Sequence, residues 1–231
     1  MNPTIMPAKK NTRKNPRKPG ERAGLSHEEI LRHARSLAER GGLEAITMRA
    51  VANELGVLPN ALYTYFQEKL VLLDALLDSL VGEIVPPPVT RDWQDGLVEL
   101  MLSTRKLLLS HPYAISLFLS RPGGPNGLRL GEVIFQVLNR GGVRGKQAVD
   151  AFRVLMVYTF GFAAQEIPRD DPARKPSQVN RGKSLFALFE PNELAITRRL
   201  LPYLSRHPGQ EDFERGLSWI IRGIVESAKQ R

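Results

Sequence analysis

The chain has 231 residues, 42% hydrophobic and 25% charged, with no cysteine, a composition that excludes wholesale disorder, disulfide staples, thiolate metal sites and cysteine nucleophiles. Lys and Arg total 33 against 24 Asp and Glu, a formal net charge of +9. Most of that excess lies in residues 1–24, where Lys9, Lys10, Arg13, Lys14, Arg17, Lys18 and Arg22 face Glu21 alone.

This N-terminal stretch also carries Pro3, Pro7, Pro16 and Pro19. It has too few large apolar side chains to offset the entropy of ordering and reads as a flexible basic arm, either DNA-binding or merely solubilising. No apolar segment of a secretory signal follows its basic residues. The longest uncharged apolar run, Val154 to Ala164, falls well short of the roughly 20 residues a membrane span needs. A soluble, cytoplasmic protein without membrane association is expected.

Beyond the arm, apolar residues recur at helical spacing with Gly and Pro as punctuation, which predicts an all-α fold. Ser26-His27-Glu28-Glu29 has the form of a capping box, and Ile30, Leu31, Ala34, Leu37 and Ala38 form one stripe of a first helix that Gly41-Gly42 ends. Thr47 caps a short second helix with Met48, Val51, Ala52 and Leu55 on one side, and Gly56 supplies a sharp stop. A third helix is expected from Pro59 to Phe66, anchored by Leu62 and Phe66, four apart. A longer fourth begins near Lys69, carries Leu73, Leu76, Leu77, Leu80 and Ile84, and stops at Pro86-Pro87-Pro88.

Further helices are expected over 92–110, 112–120, 128–140, 146–166, 192–204 and 211–229, with a loop over 168–183. The helix over 146–166 is apolar on more than one side, so one face should line the core and another should meet a second subunit. The stripe Leu217, Ile220, Ile221, Ile224 and Val225 on the last helix points the same way.

Two short helices joined at a tight glycine turn and followed by a longer helix match a helix-turn-helix, whose second member enters a DNA major groove. With Leu62 and Phe66 facing inward, Asn60, Tyr63 and Thr64 project outward, flanked by Ala61 and Tyr65. Phenolic hydroxyls and Lys69 suit phosphate oxygens, and Asn60 suits a base edge. The bland alternative is an ordinary helical hairpin packed by Leu62 and Phe66. The runs Thr47-Met48-Arg49-Ala50-Val51-Ala52-Asn53-Glu54-Leu55-Gly56-Val57 and Ala61-Leu62-Tyr63-Thr64-Tyr65-Phe66-Gln67-Glu68-Lys69 resemble the helix-turn-helix of the TetR family of bacterial transcriptional regulators. That resemblance implies DNA contacts at Thr47, Arg49, Asn60, Ala61, Tyr63, Tyr65 and Lys69. It also implies a DNA-binding head over 25–70 and a ligand-binding and dimerisation body over 71–231.

In the body, Trp93-Gln94, Arg121-Pro122, Gly141 and Tyr158-Thr159-Phe160-Gly161 resemble the tetracycline-repressor class within that family. The resemblance implies a homodimer joined by a four-helix bundle from the helices over 146–166 and 211–229. It implies an effector pocket of Val85, Leu100, Thr104, Phe118, Arg121, Ile134, Phe152, Met156, Phe160 and Gln165. Core packing is the competing role for Trp93, Phe118, Met156 and Phe160. Where the class holds magnesium through a His and a Glu, alignment outward from Arg121-Pro122 and Gly161 finds Leu117 or Phe118 and Gln165, so neither metal nor tetracycline is expected. A larger, less polar effector is.

Enzyme signatures are lacking. Gly182-Lys183-Ser184 resembles the end of a phosphate loop, but Ser177 stands where the first glycine belongs. Gly141-Gly142-Val143-Arg144-Gly145-Lys146 has the wrong spacing, and His27, His33, His111 and His207 form no metal-binding pair at i and i+4. No cofactor is implied. The sequence therefore reads as a ligand-responsive repressor of a palindromic operator, with a small-molecule carrier bearing a vestigial head as the alternative.

Overall fold

The computed structural model describes residues 25–121, 123–167, 188–190, 193–204 and 206–229. Among these residues all regular structure is helical, the all-α class expected. The basic arm, Pro122 and the loop expected over 168–183 lie outside the described residues. The chain divides into two compact units after Leu73.

In the first unit, α1 (His27–Gly41) starts where Ser26 accepts the Glu29 amide at 3.0 Å, and it buries Ile30, Ala34 and Ala38. A short 3-10 turn, Leu43–Ala45, leads to α2 (Met48–Leu55), capped by Thr47 Oγ1, which accepts from the Ala50 amide at 3.0 Å. Gly56 then takes φ 68° and ψ 33°, a left-handed conformation that disfavours any side chain, and turns the chain into α3. Arg40 and Glu54 bind α1 to α2 at 2.8 Å.

Helix α3 (Pro59–Tyr63) is shorter than the run to Phe66 that its apolar spacing predicts. The Thr64 hydroxyl donates back to the Ala61 carbonyl at 2.7 Å, and the amides of Tyr65 and Phe66 both reach the Leu62 carbonyl at 2.9 Å. This shared carbonyl marks a closing turn that tucks Phe66 into the core, where it is 2% exposed with the His27 ring at its edge. Helix α4 (Lys69–Val81) ends ahead of the three prolines, in turn bonds from Glu83 to Leu80 and from Ile84 to Val81.

The second unit is organised on α5 (Trp93–Ser110), which Asp92 caps by accepting the Gln94 amide at 2.8 Å. It packs against α7 (Pro125–Arg140), α8 (Gly145–Glu166) and α10 (Gln210–Lys229). The short α6 (Ala114–Ser120) starts two residues later than expected because the Ala114 amide turns back to the His111 carbonyl. Helix α7 starts three residues earlier than expected, with Pro125 in its first turn, where the missing N–H has no intrahelical partner to lose. Helix α9 (Ala195–Leu204) buries no residue in the chain.

Ala148, Ala151, Leu155, Thr159 and Ala163 line the inner side of α8, and Phe213, Leu217, Ile221 and Ile224 that of α10. Arg105 of α5 makes a two-pronged ion pair with Glu166 at 2.6 and 2.5 Å, both nearly buried, with Phe213 beside the guanidinium. Tyr158 stacks on Phe213 and donates to its carbonyl at 2.9 Å.

Candidate functional site

The head places the side chains singled out for DNA on and around its second and third helices. Thr47, Arg49, Asn60 and Tyr63 are exposed, and Ala61, Tyr65 and Lys69 are half-buried. Leu62 is fully buried while its neighbour Tyr63 is 48% exposed, so α3 is held from one side and open on the other. Two of these residues also have structural work: the Thr47 hydroxyl caps α2, and Lys69 Nζ donates to the Leu43 carbonyl at 3.5 Å. An ammonium has two further protons for a phosphate oxygen.

The body holds a cavity of about 270 Å³ between α4, α6, α7 and α8, lined by aromatic and aliphatic side chains. Phe118, Arg121, Ile134, Phe152, Met156 and Phe160, six of the residues expected to hold an effector, come together there. The rings of Phe118 and Phe160 lie 4.9 Å apart, centre to centre. Val85, Leu100, Thr104 and Gln165 are not among the lining residues. Val85 follows the end of α4 and is 75% exposed; Leu100 and Thr104 are fully buried on α5, where the Thr104 hydroxyl donates to the Leu100 carbonyl. Gln165 is exposed near the end of α8.

Alignment missed Leu77, Asp78 and Val81 of α4 and the glycines 123, 124, 127 and 131, all of which line the cavity. Asp78 accepts the amides of Asn126 at 2.7 Å and Gly127 at 3.2 Å, which ties α4 to the start of α7. Gly124 lies so close that a β-carbon there would strike the Asp78 carboxylate. Four residues earlier, Asp74 forms a two-pronged ion pair with Arg121, one arm at 2.8 Å. The Arg121 hydrogen bond holds the Asp74 carboxyl below its ordinary value, against an opposing push from burial. An acidic pair at i and i+4 on an otherwise apolar helix was the available sequence signal.

A second, open groove of about 380 Å³ lies along α8 and α10, between Gln147, Asp150, Val154, Trp219, Ile220 and Gly223. Beside it Val154 is 50% exposed, Val157 71% and Trp219 64%. Of the stripe read from sequence as a subunit contact, Leu217, Ile221 and Ile224 are buried within the protomer, and Ile220 and Ile224 line this groove. No cluster of His, Asp or Glu suited to a metal occurs among the described residues, and no described helix is long and apolar enough to cross a membrane.

A helix-turn-helix with a one-sided third helix, joined to a separate helical unit containing an apolar cavity, is the arrangement of a DNA-binding regulator with a body able to hold an apolar molecule. The family model described as bacterial regulatory proteins, tetR family, matches residues 30–76, and the one described as tetracyclin repressor-like, C-terminal domain, matches residues 85–228. The chain belongs to the TetR family, with a C-terminal domain of the tetracycline-repressor-like type.

An HTH-type transcriptional regulator of Saccharopolyspora erythraea is 30% identical over 144 residues, covering 62% of this chain and 61% of that one. The matched part thus spans about three fifths of that relative's length. The class A tetracycline repressor protein from transposon 1721 of Escherichia coli is 26% identical over 201 residues, covering 85% of this chain and 89% of the relative. The crystal structure of the Streptomyces coelicolor TetR family protein ActR in complex with actinorhodin has a TM-score of 0.79 at 24% identity, covering 89% of this chain and 99% of that chain. This last similarity is one of fold.

Proposed function

We propose that this chain is a repressor that binds a palindromic operator as a homodimer in the cytoplasm and is released by a small, largely apolar effector held in the cavity between α4 and α8. The observation that carries the reading is that cavity: a phenylalanine-rich chamber whose wall includes α4, the helix within which the two units divide. Thr47, Arg49, Asn60, Ala61, Tyr63, Tyr65 and Lys69 are the proposed DNA contacts. Two-fold symmetry would set two such heads about 34–36 Å apart, one turn of DNA. The exposed Val154, Val157 and Trp219 beside the α8–α10 groove supply an apolar surface for a partner copy.

An effector can shift the equilibrium between operator-fitting and non-fitting states only if it binds them with different affinity. Asp74 and Asp78 fasten α4 to the end of α6 and the start of α7, which frame the cavity, so an occupant presses on elements attached to α4. Tetracycline with magnesium is not the expected effector, because apolar walls leave a polyoxygenated drug's hydrogen bonds unmade. Calorimetric binding of tetracycline and magnesium at micromolar concentration, with release of DNA, would contradict that part.

The test uses Gly131→Phe. Gly131 lies in α7 on the cavity wall, and a β-carbon there meets no atom within 4 Å. The larger side chain should occupy the chamber while leaving the head unchanged. The full-length variant should bind DNA from upstream of its own gene like wild type and lose its response to aromatic ligands that release the wild-type protein. Full release of the variant would place the effector elsewhere.

A further inference from the structure

Charge at one end of the cavity makes its ligand selectivity specific. Two side chains among the lining residues carry charge, Asp78 and Arg121. Arg121 donates through Nε and Nη2 to the two carboxylate oxygens of Asp74, which neutralises it locally. Among the described residues, the Asp78 carboxylate receives the neutral amides of Asn126 and Gly127, both on Oδ1. Arg129, the nearest basic residue along α7, donates to Asn126 Oδ1 at 2.8 Å and is not part of the lining. Asp74 is not itself part of the lining, but it offsets the Arg121 charge, so among the described lining residues Asp78 is the carboxylate without a basic partner.

The rest of the chamber reinforces that sign. Phe118, Phe152 and Phe160 line the chamber, and an aromatic ring attracts a cation to its face, where its quadrupole is negative. An anionic ligand would leave water for a site with a surplus carboxylate and phenyl faces, whereas a protonated amine would find both as partners. The Phe118 and Phe160 rings, 4.9 Å apart and tilted by 34°, offer stacking partners to a fused aromatic ring system that a flexible chain would not use.

We propose that the effector class is a planar aromatic cation, a fused-ring body carrying a protonated amine that pairs with Asp78 while its rings lie against Phe118, Phe152 and Phe160. The proposal rests on the reading of the cavity as the effector site. The ordinary electrostatics of the chain run the other way, since a formal net charge of +9 attracts anions. A preference for a cation is therefore attributable to the cavity.

Three probes of one shape separate the charges: aminomethylanthracene, protonated at neutral pH, as the cation, hydroxymethylanthracene as the neutral analogue and anthracene carboxylate as the anion. Titration of the full-length protein without DNA, by fluorescence or calorimetry, gives their dissociation constants. Wild type should bind the cation at least tenfold more tightly than the anion, and Gly131→Phe should weaken all three. Asp78→Asn, which keeps an acceptor for the two amides, should weaken the cation about tenfold and leave the neutral probe unchanged. Asp78→Glu should retain the preference for the cation.

Equal or tighter binding of the anion by wild type overturns the proposal and needs no variant to fold. An unchanged cation preference in a folded Asp78→Asn protein also overturns it. If the neutral probe binds in a Gly131→Phe-sensitive way while the charge preference is absent, only this inference fails. If none of the probes binds, or binding ignores Gly131→Phe, the effector-site reading fails with it.

Discussion

Leu62 and Tyr63 are adjacent in α3 yet have opposite fates, so substituting each by alanine separates support of the reading helix from contact with DNA. Leu62 has no exposed surface, and its truncation should cost the head about 2–5 kcal/mol through lost transfer energy and the cavity left behind. Tyr63 is 48% exposed, and its truncation should change stability by no more than about 0.5 kcal/mol, as is usual at the surface. If its hydroxyl donates to a phosphate, the net loss is about 0.5–1.5 kcal/mol per head. A symmetric dimer doubles that to about 1–3 kcal/mol, or roughly 5- to 150-fold in operator affinity. Fluorescence anisotropy with labelled upstream DNA at matched salt measures the affinity, and thermal unfolding followed by circular dichroism measures the stability. Wild-type affinity in Tyr63→Ala would remove it from the contact surface, and a fully stable Leu62→Ala head would refute the one-sided anchoring of α3.

Val157→Glu and Trp219→Glu, both at exposed positions on α8 and α10, should give folded monomers in sedimentation, because an unpaired charge in an apolar contact carries a heavy desolvation cost; a dimer of wild-type mass would move the interface. Deleting residues 1–24 should flatten the dependence of log K on log salt by about 0.9 for each phosphate the basic arm neutralises, and equal slopes would mean that the arm only solubilises. Arg121 lowers the Asp74 carboxyl below its ordinary 3.8, so the folded state binds that proton less readily than the unfolded chain does. The stability that Asp74 adds over Asp74→Asn should be fully present above that value and fade as pH falls through the lowered one. A difference between the two proteins that stays constant through acid titration would contradict the assignment.

The head was more legible in the sequence than the cavity, for a physical reason. Ser26, Thr47 and Gly56 act on groups within a few residues of themselves, through caps and a left-handed turn, so their chain positions suffice to read their roles. The end of α3 was misjudged because periodicity kept Phe66 in register with Leu62, whereas the hydrogen bonds around Thr64 closed the helix at Tyr63. In the cavity, the family resemblance implied Phe118, Phe152, Met156 and Phe160, whereas Asp78 is held there by bonds to Asn126 and Gly127, almost fifty positions away. On α10 the apolar stripe hid two roles: Leu217 and Ile221 pack inward, while Ile220 and Ile224 line the open groove. Alternation of that kind needs neighbouring helices to resolve it.

Footprinting of the purified full-length protein on the DNA upstream of its own gene tests the central claim most directly. The account predicts a protected segment of two-fold symmetry, with half-sites centred about one helical turn, 10–10.5 base pairs, apart, and loss of protection when Asn60 and Tyr63 are both replaced by alanine. Protection without symmetry, no protection at moderate salt, or an unchanged footprint in the double variant would contradict it.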